Sequence, residues 1–224
     1  LREQLALVKE QDLLVPQVVY GFFAANADGD DLVIWTDESR TVEAARFPLP
    51  RQSKDPFLCI ADFFRPIDAD QPGGGEDDYA AFQIVTMGPR VSDRTAQLFA
   101  ENRYQEYLLL HGLGVEMAEA LAELWHRRIR EEWGFADEDP DGVVGAPTPA
   151  ALHGLFRQKY RGGRYSWGYP ACPDLEDNAQ LAELLDSARI GVECTEDTGF
   201  QYQPEQTTSA LICHHPRAKY FVAR

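Results

Sequence analysis

The sequence predicts an α+β fold, one domain in which a mostly antiparallel sheet is flanked by long helices. Two observations lead there. Strand-like apolar runs follow one another between Val18 and Thr86 with short links, which favours hairpins over βαβ units. From Ser92 to about Trp133 the apolar residues then recur at helical spacing.

The elements are read in order. Residues 1–14 form a short amphipathic helix, closed before Pro16. Val18–Ala24 and Leu32–Trp35, joined by a turn at Asp28-Gly29-Asp30, form a β-hairpin. Pro48, Pro50 and Pro56 punctuate a loop before a third strand, Phe57–Ala61, which ends at Asp62. An acid at that place is either a cap or turn residue, or a ligand contact. Residues 68–78, rich in Gly, Asp and Pro, read as a mobile surface loop before a fourth strand, Tyr79–Thr86.

Ser92 with Asp93 signals a helix start, and Leu98, Phe99, Tyr107, Leu108 and Leu110 suit helical spacing. Gly112 and Gly114 are placed to bend or split this helix, which continues from Val115 to Trp133. Glu119 and Glu123 lie four apart on one face of it, as a solvated face would have them. After an acidic, Pro/Gly-rich connection over 137–149, Thr148-Pro149 caps a helix reaching Tyr160. A further helix covers 174–188, with Leu181, Leu184 and Leu185 inward. Strands are expected at Ile190–Thr195, Thr207–His214 and Lys219–Ala223.

Composition bounds the function. The chain is 44% hydrophobic and 26% charged, with a formal net charge of −16. Such a balance repels a phosphate backbone, so nucleic acid is not an expected partner. It serves solubility, or attracts a cationic ligand or a basic partner face. No apolar run approaches the ~20 residues of a membrane span, so no membrane partner is expected. Leu1 in place of an initiator methionine reads as the start of a piece of a longer protein. The cysteines, Cys59, Cys172, Cys194 and Cys213, show neither a CxxC pair nor zinc spacing, so no metal site is expected. Without a secretory signal they read as reduced thiols, and the expected location is the cytoplasm. His214-His215 is a poor chelate on a strand, because adjacent side chains point to opposite faces.

One stretch resists a packing explanation. Arg161–Asp174, RGGRYSWGYPACPD, holds glycines, prolines, aromatics and two arginines with little that forms a periodic helix or strand. Loops of this kind are typically binding loops on a rigid scaffold. GxSxG, Walker, HExxH and strand-linked GxGxxG motifs are all missing from the sequence, so no catalytic residues are assigned. The residues suit a binding module. Arg164 can grip a carboxylate bidentately, while Tyr165, Trp167 and Tyr169 can stack on a heterocycle or lie near a cation.

The string RYSWGYPACPD resembles the RxxxGYPACP motif of the activation, or reactivation, domain of cobalamin-dependent methionine synthase. VVYGFFAAN, DDLVIWTDE, LCIADFF, AEALAELWHRRIR, LFRQKYRG and HHPRAKYF resemble segments of that domain in the same order, so the likeness covers nearly all of residues 1–224. The resemblance implies one S-adenosylmethionine-binding domain, the C-terminal fragment of a larger multidomain enzyme. It implies that Arg164 binds the ligand carboxylate and Asp62 the amino group or a neighbouring polar atom. Ser166, where the family more often has alanine, would give main-chain contacts. Tyr169 and the Tyr220-Phe221 pair would flank the ligand, and Glu119 would stand near the sulfonium. Gln158 stands where a second glutamate can occur, and Leu175 where a histidine is common; both depart from the pattern.

The implied activity is reactivation. S-adenosylmethionine donates its methyl to cob(II)alamin while one electron arrives from a flavodoxin or equivalent reductase. The cobalamin would be held by a neighbouring domain, and the zinc of the full-length enzyme lies outside these residues. A second reading is a docking module for a flavodoxin-like reductase that has lost ligand binding.

Overall fold

A computed structural model describes residues 2–67, 77–139 and 148–223. The fold is α+β, as expected. In chain order it runs α1 (Arg2–Glu10), β1 (Gln17–Asp28), β2 (Asp31–Trp35), β3 (Glu43–Pro48), β4 (Tyr79–Thr86), α2 (Pro89–Ala100) and α3 (Tyr104–Trp133). It continues with α4 (Pro149–Phe156), β5 (Gly163–Tyr165), α5 (Asp177–Leu185), β6 (Glu193–Cys194), β7 (Tyr202–Gln203) and β8 (Thr207–Cys213). Six strands form a sheet in the order β3-β2-β1-β4-β8-β5, and β6 pairs with β7 apart from it. The pairs β1–β2, β2–β3 and β5–β8 are antiparallel.

The first hairpin forms where it is expected. Asp28 pairs with Asp31 across a tight turn whose Gly29 has φ +63°, a conformation glycine adopts without strain. β2 is continued by β3, a strand the proline punctuation hid: Phe47 opposite Leu32 is fully buried, and Pro48 stands at the strand's end.

The third strand expected over 57–61 does not form. Phe57 has φ +56°, outside the extended region, and Ile60–Phe63 closes into a 3₁₀ turn. Local hydrogen bonding explains the difference. The Asp62 carboxylate accepts the Cys59 N–H at 2.9 Å, and the Phe64 N–H reaches the Ala61 carbonyl at 3.0 Å. These bonds spend backbone groups that a strand would offer to a neighbour.

The helices differ from expectation in their breaks. α2 starts at Pro89 behind a Gly88 cap, so Ser92 is not the cap but lies within the helix. The break comes at 101–103, and α3 runs unbroken for 30 residues through Gly112 and Gly114. Gly114 is there for space, since an added Cβ would sit 2.8 Å from the Gln206 Cγ. The apolar spacing around 98–110 is not all core: Leu98 and Leu110 are buried, whereas Phe99 and Leu108 are exposed. Thr148 does cap α4, its hydroxyl accepting the Ala151 N–H at 3.2 Å. Near the end of the chain, only Glu193–Cys194 of the strand expected at 190–195 forms, and 219–223 is not a strand. The loop expected over 68–78 and the connection over 137–149 lie largely outside the described residues.

The chain groups into two compact units. One comprises residues 1–21, 82–124 and 174–210, with a core of Val8, Leu13, Met87, Val91, Leu98, Leu110 and Ala118. The other comprises residues 22–81, 125–173 and 211–224. In it Ala24, Val33 and Trp35 pack with Ile67 and Tyr79. Each fully buried Leu, Ile or Phe contributes about 1.5–3 kcal/mol.

Candidate binding site

Six of the seven sequence-derived site residues, Asp62, Arg164, Ser166, Tyr169, Tyr220 and Phe221, fall in the second unit. Glu119, half-buried on α3, belongs to the first.

A three-ring cluster organises five of those six, all but Tyr169. Phe63 and Tyr165 stack with centroids 6.2 Å apart and planes 15° apart, and Phe221 lies 6.5 Å from Phe63 and 6.3 Å from Tyr165. All three are buried. Phe63 follows Asp62, Tyr165 lies between Arg164 and Ser166, and Phe221 follows Tyr220. The apolar rings thereby fix three chain segments whose polar neighbours are the candidate contacts. The Tyr165 hydroxyl adds a bond to the Lys219 carbonyl at 2.9 Å, and burial pushes its pKa well above the usual tyrosine range.

The RGGRYSWGYPACPD stretch is more regular than its composition suggests. Gly163–Tyr165 is an edge strand, with Arg164 opposite Ile212 on β8. Strand alternation turns Arg164 away from the side taken by Tyr165. Gly162 has φ +87°, and a Cβ on it would meet the Cys213 carbonyl at 2.5 Å, so glycine is required for strand entry. Beyond the strand, Trp167 is buried with its ring 5.3 Å from Phe47. The Gly168 N–H donates to the Cys172 carbonyl and the Cys172 N–H to the Tyr169 carbonyl, both at 3.0 Å, which folds Tyr-Pro-Ala-Cys into a closed turn. Cys172 is buried and donates its thiol to the Ser166 carbonyl at 3.0 Å. Packing and loop closure therefore account for this thiol.

Residues 219–223 lie against that turn without forming a strand. The Ala223 N–H donates to the Pro170 carbonyl at 3.0 Å. Tyr220 and Tyr169 stay exposed, 42% and 51%, while Phe221 between Tyr220 and Val222 is buried. Exposed tyrosines beside a hydrogen-bonded backbone present ring faces at small entropic cost on binding.

Asp62 has a defined place. Arg51 donates Nη2 to its Oδ1 at 2.7 Å and Nη1 to its Oδ2 at 2.8 Å. This pair, ahead of the Cys59 N–H, holds the carboxyl below its ordinary pKa against the opposing pull of burial. Capping and ion pairing thus both act on Asp62. Arg51 is the residue that sequence reasoning missed; its position after Pro50 in a proline-punctuated loop gave no periodic signal. His214 donates its Nε2–H to the Asp78 carboxylate at 2.7 Å and His215 packs on Phe63, so the two side chains of the doublet go to different partners.

Among the described residues, no group of three His, Cys, Asp or Glu side chains is placed to hold a metal, and no helix is long and apolar enough to cross a membrane. The fold and site define an α+β domain that presents anchored polar groups and tyrosines around a fixed aromatic cluster. A solved structure with this architecture, described as the MetH reactivation domain bound to AdoHcy, matches with a TM-score of 0.79 and 30% identity. The match covers 99% of this chain and 65% of that one. The chain belongs to the family of vitamin B12 dependent methionine synthase activation domains, whose model matches residues 2–224. Among similar proteins, the methionine synthase of Mycobacterium tuberculosis is 47% identical over 205 residues, and that of Mycobacterium leprae 46% over 205. Each comparison covers 91% of this chain but only 17% and 16% of the respective relative, so the chain spans a small part of their length.

Proposed function

We infer that this chain binds S-adenosylmethionine and presents its methyl group for reductive methylation of a cobalamin held by a neighbouring domain of the same enzyme. The observation that carries the reading is the ring cluster Phe63–Tyr165–Phe221, which ties Asp62, Arg164, Ser166 and Tyr220 to one scaffold.

The donor set fits the ligand. The Arg164 guanidinium matches a carboxylate in fork geometry. Asp62, with its pKa below the ordinary aspartate value, is anionic at neutral pH, as an ammonium partner must be. Backbone at Ser166 supplies polar contacts for the ligand, and the exposed faces of Tyr169 and Tyr220 suit the adenine ring and the sulfonium charge. Phe221 serves as their packed support. Glu119 is assigned to the sulfonium on the family resemblance alone.

Cobalamin, when bound next to this domain, would supply the cobalt chemistry of one-electron reduction and methyl acceptance, and S-adenosylhomocysteine would be the product left on this chain. This chain's residues hold and orient the donor, which requires no side chain to move a proton. The electron would come from a flavodoxin or equivalent reductase. Zinc and the homocysteine and folate sites would belong to other parts of the enzyme, whose overall activity is methionine synthesis from homocysteine. Thiol-only cysteines suit a cytoplasmic setting.

Equilibrium dialysis with labelled S-adenosylmethionine tests the reading. The wild-type chain should bind saturably, and Arg164→Ala should weaken binding by about 2–5 kcal/mol, the loss expected for one partner of a desolvated charge pair. Equal uptake by both proteins, each shown to be folded, would remove Arg164 from the site.

A further inference from the structure

Arg51 makes more hydrogen bonds than an exposed arginine ordinarily does, and all of them stay within the loop system around Asp62. Its Nε and Nη2 donate to Asp30 Oδ1 at 2.8 and 2.7 Å. Nη1 donates to the Phe57 carbonyl at 2.7 Å, and Nη1 and Nη2 together hold both oxygens of Asp62. The five N–H donors of a guanidinium are thereby all engaged, so Arg51 has none left for a ligand carboxylate. Asp30, at the β1–β2 turn, is itself built in: its carbonyl accepts the Leu49 N–H at 3.1 Å.

The consequence falls on Asp62. A carboxylate offers about four acceptor positions. Arg51 occupies one on Oδ1, and Arg51 with the Cys59 N–H occupies both on Oδ2. Among the described residues, what remains is one acceptor position on Oδ1 of a carboxylate whose side chain is 39% exposed. The next residue extends the scaffold. Gln52 pairs with Leu58 through its backbone N–H and its side-chain oxygen, and donates Nε2 to the Val222 carbonyl at 2.7 Å. One dipeptide thus sets the orientation of Asp62 and also ties its loop to the segment carrying Tyr220 and Phe221.

We propose that Arg51 is a positioning residue for the ligand ammonium: it leaves Asp62 a single outward acceptor, so that binding selects a primary amine at one fixed direction. This rests on the S-adenosylmethionine reading above. It assigns amine selectivity to a residue that never touches the ligand, with Gln52 holding the facing wall in register.

The test compares two ligands on two proteins by calorimetry: S-adenosylmethionine and its deamino analogue, in which hydrogen replaces the α-amino group. Arg51→Lys keeps the charge but cannot hold Asp30 and both Asp62 oxygens at once. The expected result is a loss of about tenfold in affinity for S-adenosylmethionine, with the deamino analogue changed by less than about twofold. In the ligand-free protein, the Asp62 carboxyl followed by NMR should titrate closer to the ordinary aspartate range in the variant. Equal weakening of both ligands would mean general disruption of the site and overturn the proposal, as would unchanged affinity for S-adenosylmethionine. A wild type that binds neither ligand, while folded, contradicts the ligand reading itself and takes the positioning role with it.

Discussion

Asp62 shows how a residue's local role and its proposed binding role can coincide. From sequence, an acid ending an apolar run is a cap or a contact; in the structure it caps the 59–64 turn and is gripped by Arg51. Its folded pKa is depressed, so its stabilising effect is present above the unfolded aspartate value of about 3.9 and is lost as pH falls through the lower folded value. Thermal melts of wild type and Asp62→Asn should therefore differ at pH 7 and converge in strong acid. A difference that persists unchanged to the lowest pH would show that Asp62 acts through something other than its charge. Arg164 stands out in the sequence as a candidate because a short motif contains it. Arg51 does not, since its partners Asp30 and Asp62 lie 21 and 11 positions away and only the fold brings them together.

At the scale of elements, strong periodicity was read correctly and local hydrogen bonding was not. β4 and the β1–β2 hairpin follow from apolar patterning. The apolar run 57–61 misled because side chain and backbone bonds within the turn outweigh β-propensity there. The glycines of α3 misled in the other direction. Gly112 has open space around its α-carbon, so Gly112→Ala is expected to stabilise the protein by about 0.5–1 kcal/mol. Gly162 behaves oppositely: its φ is +87°, and a Cβ there would meet the Cys213 carbonyl at 2.5 Å, which leaves no room. Gly162→Ala should cost about 1–3 kcal/mol, read as a lowered midpoint in chemical denaturation. A neutral outcome would mean that the entry to β5 is less constrained than its geometry indicates.

At the scale of the whole molecule, the fold class was legible from the sequence, and so was the family, because RYSWGYPACPD and its companion segments occur in order along the chain. The arrangement of the site was not, since it depends on three rings, Phe63, Tyr165 and Phe221, drawn from segments about 100 and 56 positions apart and joined only by packing. A net charge of −16 suits a cationic sulfonium ligand, yet it sets no orientation; in the proposed reading Arg164 and Asp62 would. The most direct measurement is a crystal structure of the protein with S-adenosylmethionine at saturating concentration. Ligand density is expected with the carboxylate on Arg164, the ammonium on Asp62 Oδ1 and the sulfonium side between Tyr169 and Tyr220. A ligand bound elsewhere, or density with carboxylate and ammonium away from both anchors, would contradict it.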